Sequence, residues 1–196
     1  MDLFEYRDGE LFCEGVAAAA LAEAVGTPAY VYSAGTLRRH YRALAEAFVE
    51  LEPTICFSVK SLANLHVLEL LAGEGSGFDV VSGGEVARVQ QAGGDLSRAV
   101  FAGVGKTDAE LRRAITAGVG LFNVESEAEF ETLSRLAGEA DAQVRAALRV
   151  NPDVYDPSTH RYTTTGQKET KFGGDLARAA ASFPPYGPDA HVRQEG

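Results

Sequence analysis

The residues able to do chemistry are few and lie in the middle of the chain. Lys60 closes the run "CFSVK". On an apolar strand an amine loses its proton more readily than on an open surface, because burial disfavours the ammonium ion. Such an amine can form a Schiff base with a carbonyl compound. On position alone a strand-end lysine that reaches solvent is the commoner reading. Nineteen residues on, Asp79 stands inside "GFDVVS", where a carboxylate costs free energy unless it is paired or hydrogen-bonded. A neighbouring strand would bring it to Lys60; backbone amides would satisfy it as well. Arg149 in "ALRVNPD" ends another apolar run, as an anion-binding cation or as half of a structural ion pair. "SGGE", Ser82 to Glu85, opens a helix whose amides could cradle an anion or could form a plain tight turn.

Other motifs fail on spacing. "AGVGKT" looks like the end of a nucleotide-binding loop, but the required first glycine would fall at Val100. "GEGSG" is not a dinucleotide fingerprint. His66 and Glu69 share a helix without a second histidine, so no metal site is expected. His40 is expected on a helix surface. Cys13 and Cys56 have no metal-ligand spacing and are read as reduced thiols, which fits a cytoplasmic protein.

Elements must position these groups, and from Thr54 onward the chain keeps one rhythm. The β-rich runs start at Thr54, Phe78, Ala99, Leu121 and Val144, at steps of 24, 21, 22 and 23 residues. They are apolar rather than alternating, as for strands covered on both faces. Between them lie helical runs, each with a glycine near its end that reads as a C-cap. Thr107 with Glu110 and Ser126 with Glu129 fit capping boxes. Short links between such pairs require parallel strands and right-handed crossovers. The class is α/β, and the near-constant period predicts a partial (β/α)8 barrel of about five repeats. A closed barrel needs ~250 residues, and this chain has 196. Upstream, "FEYRDGELFCEG" predicts a hairpin at Asp8-Gly9, "PAYVYS" a strand and "TLRRHYRALAEAFVE" an amphipathic helix. Three regions follow: residues 1–25 with the hairpin and a short helix, 26–182 as the partial barrel, and 183–196 as a disordered tail containing His191.

Composition limits the partners. Hydrophobic residues make up 45% of the chain, enough for a core, and 28 acidic against 18 basic residues give a net charge of −10. Such a surface repels phosphate backbones and anionic headgroups, so neither nucleic acid nor membrane is expected. The N-terminus shows no signal-peptide pattern.

Four blocks, "GTPAYVYS", "CFSVKSLANLHVLELLAGEGSGFDVVSGGEVARVQQAG", "VFAGVGKTDAELRRAITAGVGLFNVESEAE" and "ALRVNPDVYDPSTHRYTTTGQKETKFG", stand in order from Gly26 to Gly173. They resemble the diaminopimelate decarboxylases, members of the alanine-racemase-like, fold type III pyridoxal-phosphate enzymes. The resemblance implies that Lys60 holds pyridoxal 5'-phosphate covalently, that Asp79 is the carboxylate beside that lysine, and that Arg149 lies near the cofactor. It implies decarboxylation of meso-2,6-diaminopimelate to L-lysine and carbon dioxide, in a family that forms homodimers. The sequence departs from the family pattern in "FSVKS", which replaces "YAVKAN". It also lacks the "HIGSQ"-like histidine motif, the glycine-rich and "EPGR"-like phosphate loops, the glutamate on the pyridine nitrogen and the C-terminal β-domain. The expectation is a truncated N-terminal part that binds cofactor weakly and turns over little alone. Another decarboxylase of the group, or a non-catalytic half-barrel pairing with a partner chain, are the alternatives.

Overall fold

The computed structural model describes residues 2–151, 174–175 and 191–195. The N-terminal hairpin forms as expected. Strands β1 (Phe4–Arg7) and β2 (Glu10–Cys13) pair antiparallel with Arg7 opposite Glu10. Asp8 and Gly9 both have positive φ, 50° and 84°, which is the geometry of a type I′ turn. A two-residue strand β3 (Val16–Ala17) adds to β2, and helix α1 (Ala18–Val25) follows it. "PAYVYS" is not a strand. Tyr30 is 92% exposed and the segment has no ladder partner among the described residues, so its β propensity finds no described neighbour to pair with.

Helix α2 (Ala34–Ala47) starts at Ser33, whose hydroxyl accepts from Thr36 N. Glu14 joins the hairpin to this start by accepting from Ser33 Oγ at 2.7 Å and from Gly35 N at 2.9 Å. Those contacts hold its carboxyl below the usual range, the Gly35 amide most. On the other side Arg42 forks onto Glu74 with bonds of 2.6 and 2.9 Å, docking α2 beside the next helix.

The main sheet comprises β4 (Cys56–Ser58), β5 (Gly77–Val80), β6 (Ala99–Phe101), β7 (Leu121–Val124) and β8 (Val144–Leu148). Short strands β9 (Val150–Asn151) and β10 (Gly174–Asp175) pair with each other in a separate ladder. The sixth strand of the main sheet is β11 (Val192–Gln194), parallel to β8 with Val192 opposite Val144. Sequence reading had placed this stretch in an unpacked tail; residues 183–190 lie outside the described residues. All main-sheet pairings are parallel, and spatial order follows chain order from β4 through β8 to β11. A doubly wound sheet would reverse direction at a switch point. Unidirectional winding is what a barrel requires.

Helices α3 (Leu65–Gly73), α4 (Gly83–Gln91), α5 (Asp108–Thr116) and α6 (Glu127–Glu139) link these strands, and successive helices touch. Their inward faces meet Phe78, Val80, Phe101, Phe122 and Val124, all at most 1% exposed. Strand burial nevertheless alternates. Asp79, Val100 and Asn123 are only half-buried between buried neighbours, and Leu121 is half-buried beside Phe122. The expectation of strands covered on both faces is therefore corrected. The described helices cover one face, and the other is the concave inner face of the partial barrel.

Capping also differs in detail. Thr107 and Glu110 make the full reciprocal box. At α6, Ser126 Oγ accepts from Glu129 N, but the Glu129 carboxylate reaches Lys106 and Glu125 N instead. Gly93 and Gly118 end their helices at φ of 73° and 75°. After α6 that role falls to Asp141 at φ 48°. Gly138, read as a cap, lies within α6, where an added Cβ would come 3.3 Å from His191.

Candidate active site

In a singly wound sheet the C-terminal strand ends gather at one rim, and the candidate residues stand there. Strand β4 ends at Ser58 and passes into a single 3-10 turn, Val59–Ser61. Within it Val59 is fully buried and anchors the turn to the core, while Lys60 is exposed. The turn is closed by Leu62 N donating to Val59 O at 3.1 Å and by Ser61 Oγ donating to Ser58 O at 2.6 Å. Among the described residues the Lys60 amine makes no hydrogen bond or ion pair.

Asp79 stands on the adjacent strand, directly opposite Ser58 in the ladder. Ser58 Oγ donates to Asp79 Oδ2 at 3.0 Å. Ser58 was not singled out from sequence, since a serine two residues before a lysine carries no signal until the strand register is known. Cys56 shares this face. Burial first, and the Asp79 carboxylate second, push its thiol above the ordinary value, which keeps it a protonated bystander.

Arg149 directly follows β8, three strands beyond Asp79 in the sheet order. Its backbone N donates to Val124 O at 2.8 Å, and its guanidinium reaches Glu125 Oε1 at 3.2 Å. The Glu125 side chain is 3% exposed and accepts from Gly103 N at 3.0 Å. A buried carboxylate thus links the ends of β6 and β7 to Arg149. Glu125 was not singled out from sequence; an acidic residue closing the apolar run "LFNVE" was its only trace.

The two phosphate-like motifs are explained by internal partners. Lys106 of "AGVGKT" is 1% exposed and bound to Gly103 O, Asn123 O and Glu129. It lies 5.6 Å from the Phe101 ring centroid. The "SGGE" turn is likewise filled. Glu110 Oε1 accepts from Gly83 N at 2.9 Å, Glu85 Oε2 from Val81 N at 2.7 Å, and Ser82 Oγ from Glu85 N at 3.2 Å. The Gly83 amide is the main cause of the lowered Glu110 carboxyl. These amides serve the protein's own carboxylates and do not fit an external phosphate. His40 pairs with Asp2 on an exposed face of α2, and among the described residues no acidic, histidine and cysteine cluster could hold a metal ion. No described helix is long and apolar enough to cross a membrane.

The donor set therefore fits the aldehyde end of a pyridoxal cofactor: an unengaged primary amine, a hydrogen-bonded carboxylate one strand away, and a fixed guanidinium on the same rim. Known proteins resemble the chain along most of its length. Residues 34–186 match the family model "Pyridoxal-dependent decarboxylase, pyridoxal binding domain". The diaminopimelate decarboxylase of Pseudomonas aeruginosa is 51% identical over 183 residues, spanning 93% of this chain and 44% of that protein. That of Vibrio cholerae is 50% identical over 184 residues, with the same coverage of each. A solved diaminopimelate decarboxylase from M. jannaschii, in co-complex with L-lysine, superposes with a TM-score of 0.89 at 35% identity, covering 100% of this chain and 46% of its own. The chain thus spans less than half the length of the proteins it matches.

Proposed function

The chain belongs to the pyridoxal-dependent decarboxylases through their pyridoxal-binding domain, and from that premise we propose that it carries the cofactor-lysine half of a diaminopimelate decarboxylase. The carrying observation is the rim pair. The Lys60 amine is unengaged among the described residues, and Asp79 is held on the next strand by Ser58. An amine already spent in an ion pair would be a poor attachment point.

Lys60 Nζ would hold the cofactor covalently at its aldehyde end. The chemistry pyridoxal phosphate supplies when bound is an electron sink for the bond to a departing carboxylate. Asp79 places a carboxylate on the adjacent strand, opposite Ser58, where it would orient a nearby amine. Arg149, fixed by Glu125, presents a guanidinium to an anionic group of cofactor or substrate. The fully packed helix-side core behind Val59 keeps the turn carrying Lys60 from shifting. Meso-diaminopimelate is favoured as substrate because the relatives with that name span 38% to 51% identity.

A chimera of this chain with the remaining portion of the Pseudomonas aeruginosa relative tests the assignment. Carbon dioxide and L-lysine are expected from meso-diaminopimelate, little from L-ornithine or L-arginine, and none with Lys60→Ala. Preference for another amino acid would replace the substrate. Undiminished turnover by Lys60→Ala would remove the role given to Lys60.

A further inference from the structure

We infer that Ser58 is a positioning residue for the cofactor site, holding Asp79 over the strand end from which Lys60 emerges; this rests on the cofactor reading above. Three observations converge on it. Ser58 and Asp79 are ladder partners, so the separation of their backbones is fixed by the sheet. Among the described residues the Ser58 hydroxyl, at 3.0 Å, is the one hydrogen-bond donor to the Asp79 side chain, and no cation pairs with it there. Finally, Ser58 and Lys60 belong to one continuous segment, because Ser61 Oγ closes back on the Ser58 carbonyl.

An aspartate on an open concave face rotates freely about its side-chain bonds and is drawn to solvent. A hydroxyl one ladder step away removes that freedom. It engages Oδ2 only, leaving Oδ1 to meet an amine. The influence of the Asp79 charge on Cys56, two residues before Ser58, fits a carboxylate lying along β4. Serine is suited to this task in a way that alanine is not, since it adds a donor without adding charge. The segment "FSVKS" therefore carries both the amine and the device that orients its neighbour.

The test is a double-mutant cycle on this chain, read as pyridoxal 5'-phosphate fixed at Lys60 by borohydride and quantified by peptide mass mapping. Ser58→Ala should lower Lys60-specific labelling about threefold to tenfold, the range of one hydrogen bond to a charged or polar partner. Ser58→Thr, which keeps the hydroxyl and suits a strand, should restore most of it. In an Asp79→Ala background Ser58→Ala should have little further effect, because the acceptor of the Ser58 hydroxyl is already gone. Thermal melts of each variant separate loss of fold from loss of orientation. Full labelling of Ser58→Ala, or additive losses in the double variant, would overturn the positioning role while leaving the cofactor reading intact. Absence of Lys60-specific label in the unaltered chain would overturn the cofactor reading and the positioning role with it.

Discussion

Lys60 and Lys106 show how two residues of one type divide at the level of the single side chain. Lys106 is enclosed with Glu129 and two carbonyls, whereas Lys60 is exposed at the rim. Lys106→Met leaves the Glu129 carboxylate buried without its cation, so a loss of about 3 kcal/mol is expected in denaturant titration. Lys60→Met should change stability by under ~0.5 kcal/mol, as for ordinary surface positions, while removing the attachment point for cofactor. Glu125→Ala removes the carboxylate that the Arg149 guanidinium and the Gly103 amide share; weaker cofactor retention is expected in a spectral titration, with Lys60 still the labelled residue. Lys60, Asp79 and Arg149 were legible because reactive types stood out against apolar runs. Ser58 and Glu125 were not, since a serine beside a lysine or an acid after a strand has no signature until the register is known.

Elements were read where a period could be counted. The five β-rich runs and the helices between them alternate at near-constant steps, and each appears in the structure. What failed lacked either a period or a neighbour. "PAYVYS" has strand propensity with nothing described to pair with, and β11 is three residues long. The glycine signal worked at Gly93 and Gly118 but misled at Gly138, where the requirement is room for His191. Gly120 makes a sharper case. An added Cβ would overlap the Ser97 carbonyl oxygen, so Gly120→Ala should cost roughly 1–3 kcal/mol. Gly15→Ala, with open space around it, should be near neutral. The Glu110 clamp between α5 and α4 gives a pH dependence. Its carboxyl is lowered on folding, mainly by the Gly83 amide. Its contribution is therefore complete above the ordinary glutamate value and lost as pH falls through the lower folded value. Glu110→Gln should flatten the acid limb of a stability-pH curve measured by thermal melts.

For the whole molecule, winding direction was the informative quantity. Six parallel strands in chain order, with packed helices on one face and a half-buried inner face, make an arc of barrel. The sequence period implied that arc, but it could not report that the last described strand lies beyond a proline-rich stretch. Strand β11 covers the edge of β8: Val192 is 3% exposed, His191 O accepts from Val144 N, and Glu195 N donates to Ala146 O. Truncation after residue 190 should therefore lower stability by at least ~1.5 kcal/mol, the value of one buried valine side chain, and expose β8 to pairing with other chains. A melt midpoint equal to that of the intact chain would show that β11 contributes nothing to the arc.

The account as a whole depends on Lys60 being the residue that takes the cofactor. Borohydride reduction of the purified chain with pyridoxal 5'-phosphate, followed by peptide mass mapping, tests this directly. The rim geometry predicts label concentrated on Lys60 and absent from enclosed Lys106. Label spread evenly over the lysines, or none at Lys60, would contradict the assignment and leave a barrel arc without the chemistry proposed for it.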